Sequence, residues 1–397
     1  EEAMSTVQTD NTTTTGPELV ARARALTPLL AANAAEAEKQ RKPVDAVIKA
    51  LEEAEIYKLM VPKCYGGLEL DMDTFFEVSV ALGEGDASVA WVSNLYIHHN
   101  WVFCQFPEKF QKELFASRTY VLAPALISPT ATVMPEKGGF RLNGRWQWGS
   151  GIMHGEWVLL TATEITPEGK PNPRWFALPI SDVTVEDTWH VDGMIGTGSN
   201  DVVIDNVFIP EERAVSIGEM MSGHAPGSQL HDGPLYRTPM MGVLPLGAAM
   251  PALGQAKTAV RLFRERLTER VFLDANKQVQ RSASQMRLAR AEVEVCEVEL
   301  LLRHFVEDVC TKRNTATIED RASWAAQLAM SVHQCKKIIQ DVVEASGLHA
   351  HFQDNPLQRV QRDVNTIACH YLFDLDGRLE LYGKVLLGQE LVGEPMF

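Results

Sequence analysis

Apolar residues recur every three or four positions through residues 17–119, and this period predicts amphipathic helices. The spacing of Leu19, Ala23 and Leu26 is an example. Pro17 and Pro43 lie at predicted helix starts, where the missing N–H of proline leaves no helical hydrogen bond unmade. The first third of the chain is therefore predicted to be a helical domain.

The period changes near residue 120, where short β runs begin that are separated by Pro, Gly and Asn. Asn143-Gly144 lies between two such runs, 140–142 and 145–148, and predicts a hairpin with a type I′ turn. Strands this short and closely spaced are typical of a small β-sandwich or barrel. We place this middle β domain at residues 120–221.

Helical periodicity returns after a loop rich in Gly, Pro and His and continues through residues 222–397. Thr317 and Asp320 form a capping-box pattern at the start of one long helix. Another long helix carries a single apolar stripe, formed by Met286, Ala289, Val293, Cys296 and Leu300. Long helices with such stripes predict a four-helix bundle, and the fold class is α+β. Residues 1–16 are predicted to be a disordered tail.

A stretch near the C-terminal end, from Ser346 to Gly377, is set off by helix-ending signals and carries His370 in an apolar run. A helix is expected to stop at Gly347 and another to start at Pro356. A histidine on an apolar helix is more often a hydrogen-bonded core residue than a catalyst, so its role depends on the rest of the chain.

Composition and charge narrow the range of possible functions and partners. The formal net charge of −15 disfavours nucleic acid and anionic membrane surfaces as partners. No targeting signal and no membrane-spanning apolar run is readable, so a cytoplasmic protein is expected. The six cysteines form no CxxC pair, and no metal site is predicted. A small molecule is the expected substrate.

The order of helices, β domain and helical bundle resembles that of the acyl-CoA dehydrogenase-like flavoproteins. The motifs that carry the resemblance are Val61-Pro62 with Tyr65-Gly66-Gly67, Trp148-Gly149-Ser150-Gly151, Gly196-Thr197-Gly198-Ser199 leading into Asp205–Pro210, and Arg362-Asp363. The resemblance covers essentially the whole chain after Pro17 and implies a fold of an N-terminal helical domain, a β domain and a C-terminal four-helix bundle.

The dehydrogenases of this fold need a carboxylate base, and this chain lacks it at both family positions. His370-Tyr371 stands where the family has Glu-Gly after Arg-Asp, and residues 240–260 contain no Asp or Glu. The chain instead resembles the oxygenase components of two-component flavin-dependent monooxygenases, such as para-hydroxyphenylacetate hydroxylase. The resemblance lies in Ala90-Trp91 with His99, in Trp148–Gly151 with His154, and in the run from Phe352 to His370. The resemblance implies reduced flavin (FMNH2 or FADH2) from a separate NAD(P)H-dependent reductase, and O2 that reacts to a flavin C4a-hydroperoxide. The absence of a GxGxxG motif agrees with a separate reductase.

The resemblance also implies residue roles. Ser150 would hydrogen-bond flavin N5, and His370 would take the proton of a phenol, which makes the ring a better nucleophile. Further cofactor contacts would come from Trp148, Ser199, Phe352, Arg359 and Arg362. His99, Trp91, Ala125 and Tyr371 would contact the substrate. The alternatives are a turn serine at Ser150, core packing at Trp148 and an ion-pair network at Arg359, Arg362 and Asp363.

Several points stay open from sequence alone. Ala123-Pro124-Ala125-Leu126 has few hydroxyls, which favours an apolar phenolic or indole-like substrate. N- or S-oxygenation on the same fold and acyl-CoA dehydrogenation are the rival reactions. The resemblance implies a homotetramer built through the C-terminal bundle. Which of His98 and His99 faces the pocket is undetermined.

Overall fold

A computed structural model describes residues 13–271 and 277–391. The described helices are α1 (Gly16–Gln40), α2 (Asp45–Glu53), α3 (Met72–Gly85), α4 (Ala87–Phe103), α5 (Glu108–Leu114), α6 (Ile217–Ser222), α7 (Met240–Glu269), α8 (Ser282–Lys312), α9 (Ile318–Ser346), α10 (Pro356–Ala368) and α11 (Leu375–Leu386). The strands are β1 (Ala125–Glu136), β2 (Gly139–Gly149), β3 (Trp157–Ile165), β4 (Pro171–Pro179), β5 (Thr184–Glu186), β6 (Asn200–Pro210) and β7 (Ala214–Ser216).

The predicted order of helices, sheet and helices is confirmed. Thr15 caps α1 with a complete capping box, so α1 begins at Gly16. Residues 1–12 of the predicted tail lie outside the described residues. No described helix is both long and apolar enough to span a membrane.

The N-terminal helices and the C-terminal bundle share one hydrophobic core, which runs from α1 through α3 and α4 to α7 and α9. Glycines allow α3 and α7 to approach closely, because a Cβ on Gly254 would lie 2.4 Å from the backbone of Gly83. The β domain has a core of its own, which includes Trp146 and Phe176.

A proline in α7 positions α4 against it. Pro251 has no N–H, so the carbonyl of Gly247, four residues earlier, loses its helical donor. The side-chain amide of Asn94 on α4 donates to that carbonyl at 2.9 Å instead. The register between α4 and α7 is therefore fixed by a buried side-chain hydrogen bond as well as by apolar packing.

The sheet has the strand order β5-β6-β2-β1-β3-β4-β7, in which β1 and β3 are parallel. The predicted hairpin at Asn143-Gly144 is wrong, because β2 runs straight through these residues and the β1–β2 turn lies at residues 137–138. Gly138 supplies the positive φ of that turn. Asn143 instead accepts the N–H of Asn206 at a bulge between β2 and β6.

The apolar stripe predicted on α8 faces away from the core. Met286, Val293 and Leu300 are exposed. The opposite side of the helix, with Val295, Val298, Leu302 and Phe305, packs in the core. Periodicity identified a genuine apolar face here, but α8 has two such faces, and only one meets the bundle.

The predicted punctuation around His370 is confirmed, since α9 ends at Ser346, Gly347 has a φ of +70°, and α10 begins at Pro356. His370 itself is not within a helix. It follows the end of α10 and caps a short turn, where its ring nitrogen accepts the N–H of Leu372. The structure therefore places the ring at a helix end, where it borders a cavity.

Candidate active site

Two adjoining chambers lie where the three parts of the chain meet. The first has a volume of about 430 Å³ and is bounded by α4, β1, β2, α7 and the turn after α10. It brings together seven of the predicted site residues: Trp91, His99, Ala125, Trp148, Ser150, His370 and Tyr371. Most of the remaining wall is apolar, including Leu95, Ile127, Met240 and Leu244.

The second chamber has a volume of about 330 Å³ and shares five side chains with the first. The shared residues are Trp91, Trp148, Ser150, His370 and Tyr371. Ser199, another predicted cofactor residue, lines only this second chamber, together with Trp189 and Thr197. The two chambers thus meet at the residues assigned to both catalysis and cofactor binding.

Helical spacing places the α4 side chains on one wall. Leu95 follows Trp91 by four residues, and His98 and His99 follow Leu95 by three and four, so these side chains share a face. Both histidines line the first chamber, which answers the question that the sequence left open. His98 is buried, and its Nδ1 has no hydrogen-bond partner among the described residues.

The hydrogen bond of His99 fixes its tautomer. Nδ1 lies 2.6 Å from the carbonyl oxygen of Ala123, which can only accept, so Nδ1 carries the proton. Burial lowers the pKa of His99 to about 4, and the ring is therefore neutral at pH 7. A neutral His99 with a protonated Nδ1 has its lone pair at Nε2, as a proton acceptor would require.

The two ring nitrogens of His370 have the opposite hydrogen-bonding roles. Its Nδ1 accepts the backbone N–H of Leu372 at 3.3 Å, so the neutral ring carries its proton on Nε2. Burial, and then the positive charge of Arg378, lower the pKa of His370 to about 4. The indole of Trp91 packs edge-on against the imidazole, with ring centroids 5.3 Å apart. His370 therefore offers a hydrogen-bond donor where His99 offers an acceptor.

A chain of buried hydroxyl groups ends at Ser150. Thr197 Oγ1 donates to the carbonyl of Met194 at 2.8 Å. Ser199 Oγ lies 2.6 Å from Thr197 Oγ1 and 2.7 Å from Ser150 Oγ. Three hydroxyl groups in a row with a carbonyl at one end form a polarised chain, because each oxygen has a single proton to donate.

Trp148 occupies a strained position between the chambers. Its φ is +68°, in the left-handed region that residues other than glycine rarely adopt. The side chain is 51% exposed, so it is not held there by a core. Strain at a half-exposed aromatic residue in a cavity wall is typical of a functional position rather than of packing.

Three predicted cofactor residues lie outside both chambers. Arg359 and Arg362 line a separate cavity of about 740 Å³. Arg362 forms an ion pair with Glu38 at 2.9 Å and donates to the carbonyl of Asp192. Phe352 is 55% exposed and packs beside His349 on the surface. Within one chain, these residues do not meet Ser150.

Asp363, the second residue of the Arg-Asp motif, acts on the chamber indirectly. It is buried and accepts the backbone N–H of Met194 at 2.6 Å. Met194 has a positive φ of +56°, and its carbonyl receives the hydroxyl chain as well as the indole N–H of Trp189. The motif thus fixes the backbone on which the second chamber is built.

Sequence reasoning missed several wall residues. Thr197 lay inside a quoted motif, but nothing in the pattern distinguished its hydroxyl from that of any loop threonine. Trp175 on β4 and Met240 and Met241 on α7 reach the first chamber only through the tertiary fold. The carbonyl of Ala123, which sets the polarity of His99, leaves no sequence signal at all.

The chain is similar in sequence and in fold to known proteins. The family model described as "Acyl-CoA dehydrogenase, C-terminal domain" matches residues 246–375. A "Pigment production hydroxylase" of Rhodococcus sp. is 32% identical over 94% of this chain and 97% of its own length. The "p-hydroxyphenylacetate 3-hydroxylase, oxygenase component" of Acinetobacter baumannii is 28% identical over 94% of this chain and 90% of its own.

The chain belongs to the two-component flavin-dependent monooxygenases of the acyl-CoA dehydrogenase fold. The solved structure of XiaF from Streptomyces sp., in complex with FADH2 and glycerol, superposes with a TM-score of 0.88 at 29% identity. The superposed region covers 96% of this chain and 98% of the XiaF chain.

This monooxygenase is an oxygenase component that uses reduced flavin and O2 to hydroxylate an aromatic compound. Several relatives are named as oxygenase components, a name that implies a separate reductase. The prediction of family, fold, activity and cofactors is confirmed.

Proposed function

We propose that this monooxygenase hydroxylates a phenol held in the first chamber, while the flavin ring occupies the second. The observation that carries the proposal is the pair of neutral histidines with opposite hydrogen-bonding polarity, His99 and His370. A phenol hydroxyl donates one hydrogen bond and accepts others, so it matches this pair. No Asp or Glu within residues 13–271 and 277–391 lines either chamber.

The polarity of the two rings assigns their roles. His99 Nε2 takes the proton of the phenol, because the bond to Ala123 keeps Nδ1 protonated and leaves Nε2 free to accept. His370 Nε2–H donates to the resulting oxygen anion and stabilises its charge. His370 keeps a catalytic place, but the role of base, assigned to it from the family resemblance, passes to His99.

The residues around Ser150 fit a flavin ring. Reduced flavin, when bound, supplies the electrons that activate O2. Trp148 provides an apolar face beside it, and Ser150 provides a hydrogen-bond partner for the ring edge. The second chamber is otherwise lined by apolar side chains such as Met194 and Ile367, which exclude water from the reacting atoms.

FADH2 is the proposed flavin rather than FMNH2. His190 and Ile195 line the cavity that contains Arg359, and their chain neighbours Trp189 and Met194 line the second chamber. A pyrophosphate leaving the second chamber would therefore meet basic side chains. Arg359→Ala should weaken binding of FADH2 more than that of FMNH2, and equal weakening of the two would count against this assignment.

The first chamber favours an apolar aromatic substrate. Ala125 contributes no hydroxyl to the wall, and Leu244, Pro245 and Ala248 of α7 add further apolar surface. A volume of about 430 Å³ lies within the range of sites for drug-sized ligands. A phenol with a second ring or an apolar substituent would fill this space better than a small acidic phenol.

We further propose a homotetramer that assembles through the exposed stripe of α8. Met286, Val293 and Leu300 expose 57–66% of their surfaces on one side of a 31-residue helix. Apolar rows of this kind on a long helix are typical of helix–helix interfaces. In such an assembly Phe352, exposed in one chain, would contact the flavin of a neighbouring subunit.

The test of the catalytic roles uses phenols that differ in ionisation. His99→Gln should lower the rate of hydroxylation by about 100-fold or more for a phenol that is protonated at the assay pH, because a general base is lost. Fluorinated phenols assayed above their own pKa need no base, so most of that loss should disappear. Product and hydrogen peroxide are measured after anaerobic reduced enzyme is mixed with O2.

Two controls separate the roles. His370→Gln retains an N–H donor and should show a smaller loss that does not depend on the ionisation of the phenol. His154→Gln removes a histidine that pairs with Asp45 outside both chambers and should behave as wild type. If the ionisation-dependent loss follows His370 instead of His99, the proposed roles are reversed.

A further inference from the structure

Cys64 and His231 form a pair of reactive side chains that lines neither chamber. Cys64 lies in the short turn Lys63–Tyr65, and His231 lies in the loop that precedes α7. The sulfur of Cys64 is 3.8 Å from Nδ1 of His231, within hydrogen-bonding distance for sulfur. Cys64 is exposed and His231 is only 8% exposed, so small solutes can reach the thiol while the imidazole is held by its surroundings.

Gln111 on α5 fixes the protonation of His231. Its side-chain N–H groups donate to the carbonyls of Cys104 and Phe106 at 2.9 and 2.8 Å, so the amide oxygen faces His231. That oxygen can only accept, and it lies 2.8 Å from Nε2 of His231, which therefore carries the ring proton. Nδ1 is left with a lone pair, and this lone pair faces the thiol of Cys64.

A nucleophile, a base beside it and a third group that orients the base are the parts by which proteins activate a thiol. Here these parts are Cys64, His231 and Gln111. Burial, and then the charge of Glu69, raise the pKa of the Cys64 thiol, so the thiol keeps its proton at pH 7. Burial lowers the pKa of His231, so the ring is neutral and able to take that proton. The thiol therefore depends on the base at the moment it reacts.

The charges around the pair favour a neutral electrophile. The carboxylate of Glu69 acts on both side chains, and those of Asp232 and Glu108 act on His231. The guanidinium of Arg237 donates to the backbone carbonyl of His231 at 3.2 Å. Three carboxylates around one thiol disfavour the approach of an anion, so an uncharged oxidant is the better partner.

Three further titratable side chains near the pair keep their charge between pH 7 and 8.5. Tyr65 and Tyr236 pack against the imidazole of His231 with ring centroids 5.7 and 4.8 Å away. Burial raises the pKa of both phenols and of the neighbouring Cys104 thiol. A change in reactivity over this range therefore reports on Cys64 and His231.

We propose that Cys64 and His231 form a second reactive site, at which hydrogen peroxide oxidises the thiol to a sulfenic acid. The sulfur attacks one peroxide oxygen, so an S–O bond forms and the O–O bond breaks. His231 takes the thiol proton at Nδ1 and returns it to the leaving hydroxide, which departs as water. Sulfur loses two electrons, and the peroxide gains them.

The oxidant comes from the reaction that the protein already performs. Reduced flavin and O2 yield hydrogen peroxide whenever hydroxylation does not follow. Cys64 thus records turnover in which oxygen is not transferred to the substrate. The site lies outside both chambers, so the inference does not depend on where substrate and flavin bind.

Trapping of the sulfenic acid measures the proposed reaction. The purified protein is mixed with hydrogen peroxide and dimedone, and peptide mass spectrometry gives the labelling rate at each cysteine. Cys296 and Cys369 are also exposed and serve as references within the same molecule. At pH 7 Cys64 should be labelled about tenfold faster than either reference, because it has a base and the references react through a small thiolate fraction.

His231→Gln keeps a side-chain N–H for Gln111 but removes the base. The rate at Cys64 should fall by about 100-fold, while the rates at Cys296 and Cys369 stay the same. In wild type the rate at Cys64 should be nearly constant from pH 7 to 8.5, since neutral His231 is the base throughout. In His231→Gln it should rise by about tenfold per pH unit as the thiolate forms.

His224→Gln is the matched control, because it replaces an exposed histidine of the same loop and should behave as wild type. The wild-type pH profile requires no variant, so it tests the inference even if His231→Gln does not fold. The inference is wrong if Cys64 is labelled no faster than Cys296 and Cys369, or if its wild-type rate rises tenfold per pH unit. An unchanged rate in folded His231→Gln would overturn it as well.

Discussion

His99 and His370 line one chamber, but one ring offers it a hydrogen-bond acceptor and the other a donor. Backbone atoms set this difference. The Ala123 carbonyl holds a proton on Nδ1 of His99, and the Leu372 N–H occupies the lone pair on Nδ1 of His370. Neutral imidazole has one donor and one acceptor, so the chamber receives the acceptor of one ring and the donor of the other. Two identical side chains thereby present opposite hydrogen-bonding groups to the chamber.

The pKa values of these histidines predict the pH dependence of catalysis. Burial holds the pKa of both rings near 4, so both are neutral between pH 6 and 8. Protonation at lower pH removes the acceptor of His99. The rate of hydroxylation should therefore be independent of histidine ionisation above pH 6 and fall below about pH 5, in stopped-flow product measurements. A limb near pH 6.5 that disappears in His99→Gln would contradict this.

At the scale of elements, α7 is irregular where it borders the first chamber. Pro245 and Pro251 lie within it, and the carbonyl freed by Pro251 is satisfied by Asn94 of α4. The face of α4 that carries Trp91 and His99 is therefore held in register with α7 by one buried polar contact. A helix without the proline would need no such contact.

The contact predicts an energetic coupling between Asn94 and Pro251, which lie 157 positions apart in sequence. Asn94→Leu leaves the Gly247 carbonyl without a donor and should lower the free energy of unfolding by about 1–3 kcal/mol. In the Pro251→Ala background the restored N–H donates to that carbonyl, so the same substitution should cost less. Denaturant unfolding of the four proteins in a double-mutant cycle measures the difference. Additive effects would show that Asn94 does not serve this carbonyl.

The exposed apolar stripe of α8 leads to a prediction about the assembly of the protein. Leu300→Lys or Val293→Lys places a charge in the exposed apolar stripe and should convert the proposed tetramer to smaller species, since an unpaired charge is costly in an apolar interface. Light scattering coupled to size-exclusion chromatography measures the mass. Leu300→Met and Val293→Ile keep the surface apolar and serve as controls. A lysine variant with unchanged mass would show that α8 is not the interface.

On the scale of the whole molecule, the site exists only where three parts of the chain meet. The N-terminal helix α4, the strands β1 and β2, and the turn after α10 each contribute walls to the same chamber. Asp363 joins two of these parts, because it lies on α10 and holds the loop before β6 through Met194. It is buried near a second carboxyl group, that of Asp86.

The buried carboxyl predicts how global stability varies with pH. Burial, and then Asp86, raise the pKa of Asp363 to about 7 in the folded protein, from an unfolded value near 4. The folded state thus retains a proton that the unfolded state loses, and stability falls as pH rises from about 4 to 7. Asp363→Asn keeps an acceptor for Met194 and removes the titration.

Thermal or denaturant unfolding across this range checks the prediction. The stability of Asp363→Asn relative to wild type should increase with pH by a few kcal/mol, at about 1.4 kcal/mol per pKa unit. The comparison cancels all titrating groups common to both proteins. A constant difference from pH 4 to 8 would mean that Asp363 does not hold a proton in the folded state.

The sequence alone determined the order of the structural parts and eight of the residues that line the two chambers. Local signals suffice where a turn or cap is set by neighbouring residues, as at Gly347, Pro356 and Thr317. Spacing sufficed for α4, because residues three and four apart must share a helical face. The resemblance placed Ser150 and His370 because their flanking motifs are specific.

Only the tertiary structure decided which of two apolar faces of α8 meets the core, since periodicity shows a face but not its partner. It also moved the predicted hairpin from Asn143-Gly144 to Gly138, because strand pairing with β6 uses the asparagine at a bulge. The polarity of His99, His370 and Ser150 lay beyond the sequence altogether. Backbone carbonyls and N–H groups set it, and every residue type carries these, so only their positions in space could assign a donor or an acceptor.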